Sequence, residues 1–173
     1  MMKFKLILIV VFTSLSIVSM ACNCNPGGTI EANVKASDVI IKTKILSIAY
    51  TNRLDTMKVV VEGDPNNVFA KYWKFNVKIY TAVVEETYKG KLTSDTITIV
   101  TGINGAACGF PMTIGLEYLV YGTIKDYQGF SSVQRKASDG KLIWTNNCTR
   151  SYLFSDTELV DVKAEIEKAS YKE

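Results

Sequence analysis

The chain has 173 residues, with 20 Lys and Arg against 17 Asp and Glu, and it contains no histidine. Without imidazole there is no Ser-His-Asp triad, Cys-His pair, His-ligated metal or histidine acid–base chemistry. The length suits one domain, and the slight positive charge gives no reason to expect nucleic acid or an acidic membrane as a partner.

The N-terminus reads as an export signal. Lys3 and Lys5 precede an apolar run from Leu6 to Val18 that is broken only by Thr13, Ser14 and Ser16. That core is too short for a bilayer span of roughly 20 residues. Ser19-Met20-Ala21 places small residues at the positions a signal peptidase reads. Residues 1–21 are therefore expected to be a cleaved signal peptide and 22–173 the single mature domain. Its location is then secreted or extracytoplasmic: the periplasm or cell surface if the source is a bacterium. Lys3 and Lys5 leave with the signal, so the mature chain is within about one charge of neutral. Lipoprotein processing would also leave Cys22 first, but Ser19 stands where a lipobox carries an aliphatic residue.

Four cysteines, Cys22, Cys24, Cys108 and Cys148, remain after cleavage. An even count in an exported chain reads as two disulfides. Cys22 and Cys24 alternate on an extended segment and point opposite ways, so each takes a distant partner. Two pairings stay open. A zinc site is disfavoured, because paired C-x-x-C spacing is missing.

Gly27-Gly28 makes a flexible corner, and Thr29 caps a short helix through about Ala36. Asp38 to Ala49 is β-branched and reads as a strand. Residues 50–71 read as a long hairpin extension with a turn at Gly63-Asp64-Pro65-Asn66-Asn67. Tyr72 to Tyr88 is the clearest strand. Its alternation puts Trp73, Phe75, Val77, Ile79, Thr81 and Val83 on one face and Lys74, Asn76, Lys78 and Tyr80 on the other. Glu85 and Glu86, adjacent on this strand, face opposite sides and make a poor catalytic pair. With no histidine either, the chain is not expected to be an enzyme.

Further strands are expected at Thr96–Thr101, Glu117–Lys125, Phe130–Lys136 and Leu142–Thr145, the last fed by an Asp139-Gly140 turn. Asn147-Cys148-Thr149 is a formal glycosylation sequon, set aside because Cys148 is expected to be bridged. Ser155-Asp156-Thr157-Glu158 has the capping-box pattern. Leu159, Val162, Ile166 and Ala169 follow at helical spacing, so an amphipathic helix of about 14 residues closes the chain. The expected fold is mostly β: an OB-fold-like barrel of five to six strands with a short N-terminal helix, a C-terminal amphipathic helix and two disulfides. A β-sandwich would need more strands at regular spacing.

Several stretches, in order, resemble the N-terminal inhibitory domain of the tissue inhibitors of metalloproteinases, within the netrin-like (NTR) group. Cys22-Asn23-Cys24-Asn25-Pro26 resembles the family's C-x-C-x-P start. Ala36-Ser37-Asp38-Val39-Ile40-Ile41-Lys42-Thr43-Lys44 resembles its first strand, and Thr87-Tyr88-Lys89-Gly90 the Y-K-G end of its second. Ala106-Ala107-Cys108-Gly109 and Glu117-Tyr118-Leu119-Val120-Tyr121-Gly122 resemble the V-C-G motif and the strand after it. Cys148-Thr149 resembles the late Cys. The family's third disulfide has no counterpart, Asn23 stands where Thr or Ser is usual, and Asn25 replaces an apolar residue.

The resemblance implies an OB-like barrel with Cys22–Cys108 and Cys24–Cys148 disulfides. It also implies a secreted inhibitor. The free amine and the carbonyl oxygen of Cys22 would chelate the zinc of a secreted or cell-surface metalloproteinase at its open position. Asn23 would enter a specificity pocket. Cys22, Asn23, Cys24, Asn25 and Pro26, with Asn104, Gly105, Ala106 and Ala107, would form the contact surface. The chain would need no cofactor of its own, because the zinc belongs to the target, and it would act as a monomer. The alternative is a non-inhibitory NTR binding module at the cell surface, including a lipoprotein anchored through Cys22.

Overall fold

A computed structural model describes residues 28–61, 64–124 and 140–171. The expected signal peptide 1–21, the segment from Cys22 to Pro26, the strand expected at Phe130–Lys136 and Asp139 of the expected turn lie outside the described residues.

Among the described residues six strands form one sheet: β1 (Val39–Val61), β2 (Asp64–Lys89), β3 (Thr96–Gly102), β4 (Glu117–Gly122), β5 (Leu142–Trp144) and β6 (Tyr152–Leu153). Their order is β5-β3-β2-β1-β4-β6. Every pair is antiparallel except β3–β5, which is parallel. The sheet is not a closed ladder. One bridge links the chain just past β4 to β5, where Thr123 and Trp144 exchange two N–H···O bonds of 2.9 Å.

Among the described residues two helices complete the fold, α1 (Ile30–Ala36) and α2 (Asp156–Ser170). α1 starts where Thr29 predicts, because the Thr29 hydroxyl accepts from the Ala32 N–H at 3.1 Å. At its other end the Lys89 ammonium donates to the Val34 and Ser37 carbonyls at 2.6 and 2.8 Å. A cation there suits both the unpaired carbonyls and the helix dipole. α2 begins after Ser155 as expected, but the capping box does not form. Ser155 makes no side-chain cap bond, and Glu158 is paired with Arg150 instead. Leu159 and Val162 of α2 are buried and Ile166 packs beside them, whereas Ala169 is exposed.

The region expected as a separate hairpin extension is the outer part of β1 and β2 themselves. Their register runs unbroken through it, from Ile48↔Tyr80 to Val60↔Val68. β4 pairs with β1 only over Val39–Lys44, and β3 pairs with β2 only over Val77–Val83. Beyond Thr51↔Val77 the hairpin is therefore a two-stranded ribbon among the described residues. The expected turn is corrected too, because Asp64, Pro65, Asn66 and Asn67 belong to β2. Pro65 is tolerated there because no third strand among the described residues requires its missing N–H.

The structure decides which face of β2 meets the main core. Tyr80 and Ala82 lie in the main cluster with Val39, Ile41, Ile45, Ile97, Ile99, Val120 and Ile143. Val77 and Ile79 belong to a separate cluster with Val100 and Trp144. Both faces of β2 are apolar, so alternation identifies two sets without saying which is interior. Tyr80 qualifies because its hydroxyl has a use: it accepts from the buried Met112 N–H at 3.1 Å. Tyr80→Phe leaves that donor unpaired and is expected to cost about 1–3 kcal/mol. Urea denaturation, read as a lower midpoint at unchanged slope, checks this.

A third cluster lies on the other side of β1 and β4. There Val34 of α1 and Leu159 and Val162 of α2 cover Ile40, Leu119 and Tyr121.

Candidate functional site

β3 ends at Gly102, and the next residues turn sharply. Gly105–Ala107 form a single 3-10 turn capped by Asn104. The Asn104 side-chain oxygen accepts from the Ala107 N–H at 3.0 Å, and its backbone oxygen accepts from Ala107 and Gly109 at 3.1 and 2.7 Å. The loop closes because Gly102 and Gly109 touch backbone to backbone. A Cβ on Gly102 would lie 1.8 Å from the Ala107 oxygen, and one on Gly109 would lie 2.0 Å from the Gly102 oxygen. Only glycine allows such an approach.

The result is a fixed strip whose outer residues, Asn104, Gly105, Ala106 and Ala107, are all exposed. Because Asn104 spends its side chain on the loop itself, the strip offers small side chains and backbone edges. No atom lies within 4 Å of where a Gly105 Cβ would be. The strip sits at the level where β2 parts from β3, the Val77↔Gly102 pair, so the ribbon of β1 and β2 leaves the body beside it.

Cys108 follows directly. It is disulfide-bonded and has φ of 54°, a left-handed conformation that costs a non-glycine residue of order 1 kcal/mol. Two bonds hold it there. Its N–H donates to the Gly105 oxygen at 3.1 Å, and its carbonyl accepts from the Asn147 N–H at 3.0 Å. The second bond brings the Cys148 loop alongside. Cys148 is also disulfide-bonded, and no described cysteine is free. Which cysteine each one takes turns on Cys22 and Cys24, outside the described residues.

The Cys148 loop is pinned in turn. The Asn146 side-chain oxygen accepts from the Cys148 and Thr149 N–H groups at 2.8 and 3.1 Å. Beneath it the Thr145, Thr149 and Ser151 hydroxyls lie within 2.9–3.0 Å of one another. Thr145 also donates to the Tyr121 carbonyl at 3.0 Å. Two residues past Cys148, Arg150 reaches α1. Its backbone N–H donates to the Asn33 side-chain oxygen at 2.9 Å, and its Nη1 donates to the Gly28 carbonyl at 3.1 Å. The first described residue of the chain is thus tied to the end of the sheet that carries the strip. Gly28 is six positions after Cys22, a reach of at most about 20 Å.

Of the expected contact residues, Asn104, Gly105, Ala106 and Ala107 lie directly before Cys108, whose carbonyl bonds the Cys148 loop at Asn147. Cys22, Asn23, Cys24, Asn25 and Pro26 lie outside the described residues. Arg150, Asn33 and Asn146 were not singled out from the sequence. Asn146 carries a weak local signal, an Asn two residues before a turn Cys. The contacts of Arg150 with Gly28 and Asn33 span more than 100 residues and leave none.

Elsewhere, Glu85 and Glu117 share one lysine. Lys42 on β1 bonds both Glu85 of β2 and Glu117 of β4, at 2.9 and 3.0 Å, and lies 4.5 Å from the Phe154 ring centre. The two carboxylates raise the Lys42 pKa, with Glu85 the larger cause. Glu85 is therefore held as the counter-ion of a lysine. Among the described residues no group of three or more His, Cys, Asp or Glu is placed to hold a metal. Burial pushes the Tyr121 pKa up to about 12, so this phenol stays protonated at neutral pH. No family model and no curated protein matches the chain.

Proposed function

We propose that this chain is an exported metalloproteinase inhibitor that acts through its N-terminal residue, in the manner of the tissue inhibitors of metalloproteinases. The observation that carries the reading is the strip Asn104–Ala107. It is exposed, internally braced, poor in side chains and followed at once by a disulfide-bonded Cys108. A surface of that kind lets an extended N-terminal segment lie beside it and enter a protease cleft with it. The bond from Arg150, two residues past Cys148, to the Gly28 carbonyl supports the reading.

The finer fold belongs to this reading. The run β5-β3-β2-β1-β4 with its parallel β3–β5 pair supports an OB-type barrel. The Thr123–Trp144 bridge supports closure between β5 and β4. Pairings Cys22–Cys108 and Cys24–Cys148 complete the proposal. They would set Cys22 beside the strip, its sulfur a tether and its amine and carbonyl free for the zinc of the target.

Chemically, the amine must lose its proton to donate a lone pair. An α-amino group has a pKa near 8, low enough for a metal to displace the proton near neutrality. The two donors would replace the water that a catalytic zinc keeps in its open position. Rigid attachment lowers the ordering cost of binding. Asn23, with an amide to satisfy, suits a polar specificity pocket better than an apolar one.

A competition experiment tests the reading. Binding to the catalytic domain of a secreted zinc endopeptidase should be lost when a small hydroxamate occupies the zinc. A second reading, a non-inhibitory binding module, draws on exposed Leu46, Tyr50, Ile114 and Leu116 around β1 and the turn before β4. A module using that surface would bind its partner equally well with the zinc blocked, and that outcome would replace the inhibitor reading.

A further inference from the structure

The edge of β1 that faces away from β2 is paired for only part of its length. β4 covers it over Val39–Lys44. Ile45 is next, its carbonyl accepting from the Gly115 N–H and its own N–H donating to the Leu116 carbonyl. Past Ile45, no strand among the described residues lies along this edge. The strand ends at Val61, which pairs with Asp64 across the hairpin turn. The free edge therefore runs from Leu46 to Val61. A two-stranded ribbon is marginal in water by itself, and a long open edge is a template for another strand.

Apolar side chains gather beside this edge. Leu46, Tyr50, Ile114 and Leu116 are between 44 % and 66 % exposed. Leu46 and Tyr50 belong to β1, and Ile114 and Leu116 flank the Gly115 that bonds Ile45. A cluster of exposed apolar residues marks a contact surface. The other open edge, that of β2 before Val77, has a different composition. It carries Pro65, Lys71 and Lys74, residue types that protect an edge from pairing. β1 has no proline.

The free edge of β1 is also complementary to itself. An antiparallel strand laid against its own copy is related to it by a two-fold axis, so the pairing closes as a dimer. The longest overlap that stays clear of Leu116 runs from Ser47 to Val61 and centres on Leu54. In that register position 53, an Arg, stands opposite position 55, an Asp, once on each side of the axis. Ile48 is set against Val60, Ala49 against Val59 and Tyr50 against Lys58. Opposite charges and apolar residues at opposed positions stabilise a ladder. Centring the pair on Arg53 or on Asp55 would instead set like charges against each other.

We infer that the free edge of β1 is a self-association surface: two copies of this chain pair antiparallel about Leu54 and form a four-stranded ribbon in the order β2-β1-β1-β2. Val59–Val61 of each copy then lies along the exposed Leu46–Tyr50 stretch of the other. The inference goes beyond the inhibitor reading and does not need it. The strip Asn104–Ala107 follows β3, which lies across β2 from the added copy, so the two surfaces are distinct. A dimer departs from the monomer that the family resemblance implies.

Sedimentation equilibrium on the full, disulfide-bonded protein tests this with no protease present. The native protein should form a dimer that dissociates on dilution. Arg53→Asp and Asp55→Arg each place two like-charge pairs in the ladder, so each should raise the dimer dissociation constant at least tenfold. The double variant restores opposite charges and should return to within about threefold of the native value. An equal mixture of the two single variants should form a heterodimer tighter than either homodimer. Circular dichroism melts identify the variants that fold. If one single variant fails to fold, the other single and the double variant carry the same comparison. A native protein that stays monomeric up to about 1 mM overturns the inference. So does a folded single variant that dimerises as tightly as the native protein, or a native mass that grows past the dimer.

Discussion

Gly102→Ala is expected to destabilise the protein by about 3 kcal/mol or more, the upper end of overpacking costs. The new Cβ would sit 1.8 Å from the Ala107 oxygen, 2.7 Å from its carbonyl carbon and 2.9 Å from the Gly109 nitrogen. All three are backbone atoms of a loop braced by its own hydrogen bonds, so no flexible side chain can swing aside. Gly109→Ala meets the Gly102 carbonyl oxygen at 2.0 Å and should behave alike. For a domain of this size the loss corresponds to a fall in Tm of about 10 °C. Gly105→Ala in the same loop is the control. With open space around it, the change should stay within about 0.5 kcal/mol. Differential scanning calorimetry on the three variants reads the contrast directly. Equal stability of Gly102→Ala and Gly105→Ala would mean that the strip is not clamped as described. The functional corollary is that Gly102→Ala shifts the strip even in molecules that remain folded.

Local chemistry made much of the fold legible. Thr29 marks the start of α1, Thr96 and Glu117 open β3 and β4, and the spacing of Leu159, Val162 and Ile166 gives α2. Each of these signals acts within a few residues. What sequence left open depends on distant neighbours. Which face of β2 turns inward is decided by Ile97, Ile99 and Val120 on other strands. The outer part of β1 and β2 reads as strand by composition, yet only the lengths of β3 and β4 show that it is a two-stranded ribbon. β6 is two residues long and has no pattern to find. Glu158 was assigned to a cap three residues away because Arg150, its actual partner, is set by the tertiary fold.

The stretches that suggested a family are instructive in the same way, since many of their residues have internal tasks. The Asp38 carboxylate accepts from the Ile124 N–H at 3.0 Å. Tyr88 packs in the cluster under α2, and Lys89 caps α1. Gly90 has φ of +82°, and a Cβ there would lie 2.3 Å from the Asp38 oxygen. A Cβ on Gly122 would lie 2.9 Å from an Ile143 methyl carbon. These residues bear on fold more directly than on inhibition. The motif that bears on inhibition is the Cys22 start, together with the strip it would lie beside.

The second large effect is therefore expected at that start. One alanine placed before Cys22 turns its amine into an amide nitrogen, which has no lone pair to give a metal. It also moves the new amine about 3.5 Å along the chain. Inhibition should weaken at least a thousandfold, or about 4 kcal/mol, while the strip, the fold and the thermal stability stay as they are. N-terminal acetylation should do the same. The native protein should also inhibit better as pH rises toward 8, because the neutral amine grows about tenfold per pH unit below its pKa. The extended protein should lack that dependence.

The most direct measurement is a side-by-side inhibition titration of the native and Ala-extended proteins against one secreted zinc-endopeptidase catalytic domain, with intact mass under non-reducing conditions on both samples. The expected result is a native protein that begins at an unmodified Cys22 and inhibits stoichiometrically, beside an extended protein at least a thousandfold weaker. Equal inhibition by the two, or a native mass that carries a diacylglyceryl group on Cys22, would contradict the proposed mechanism.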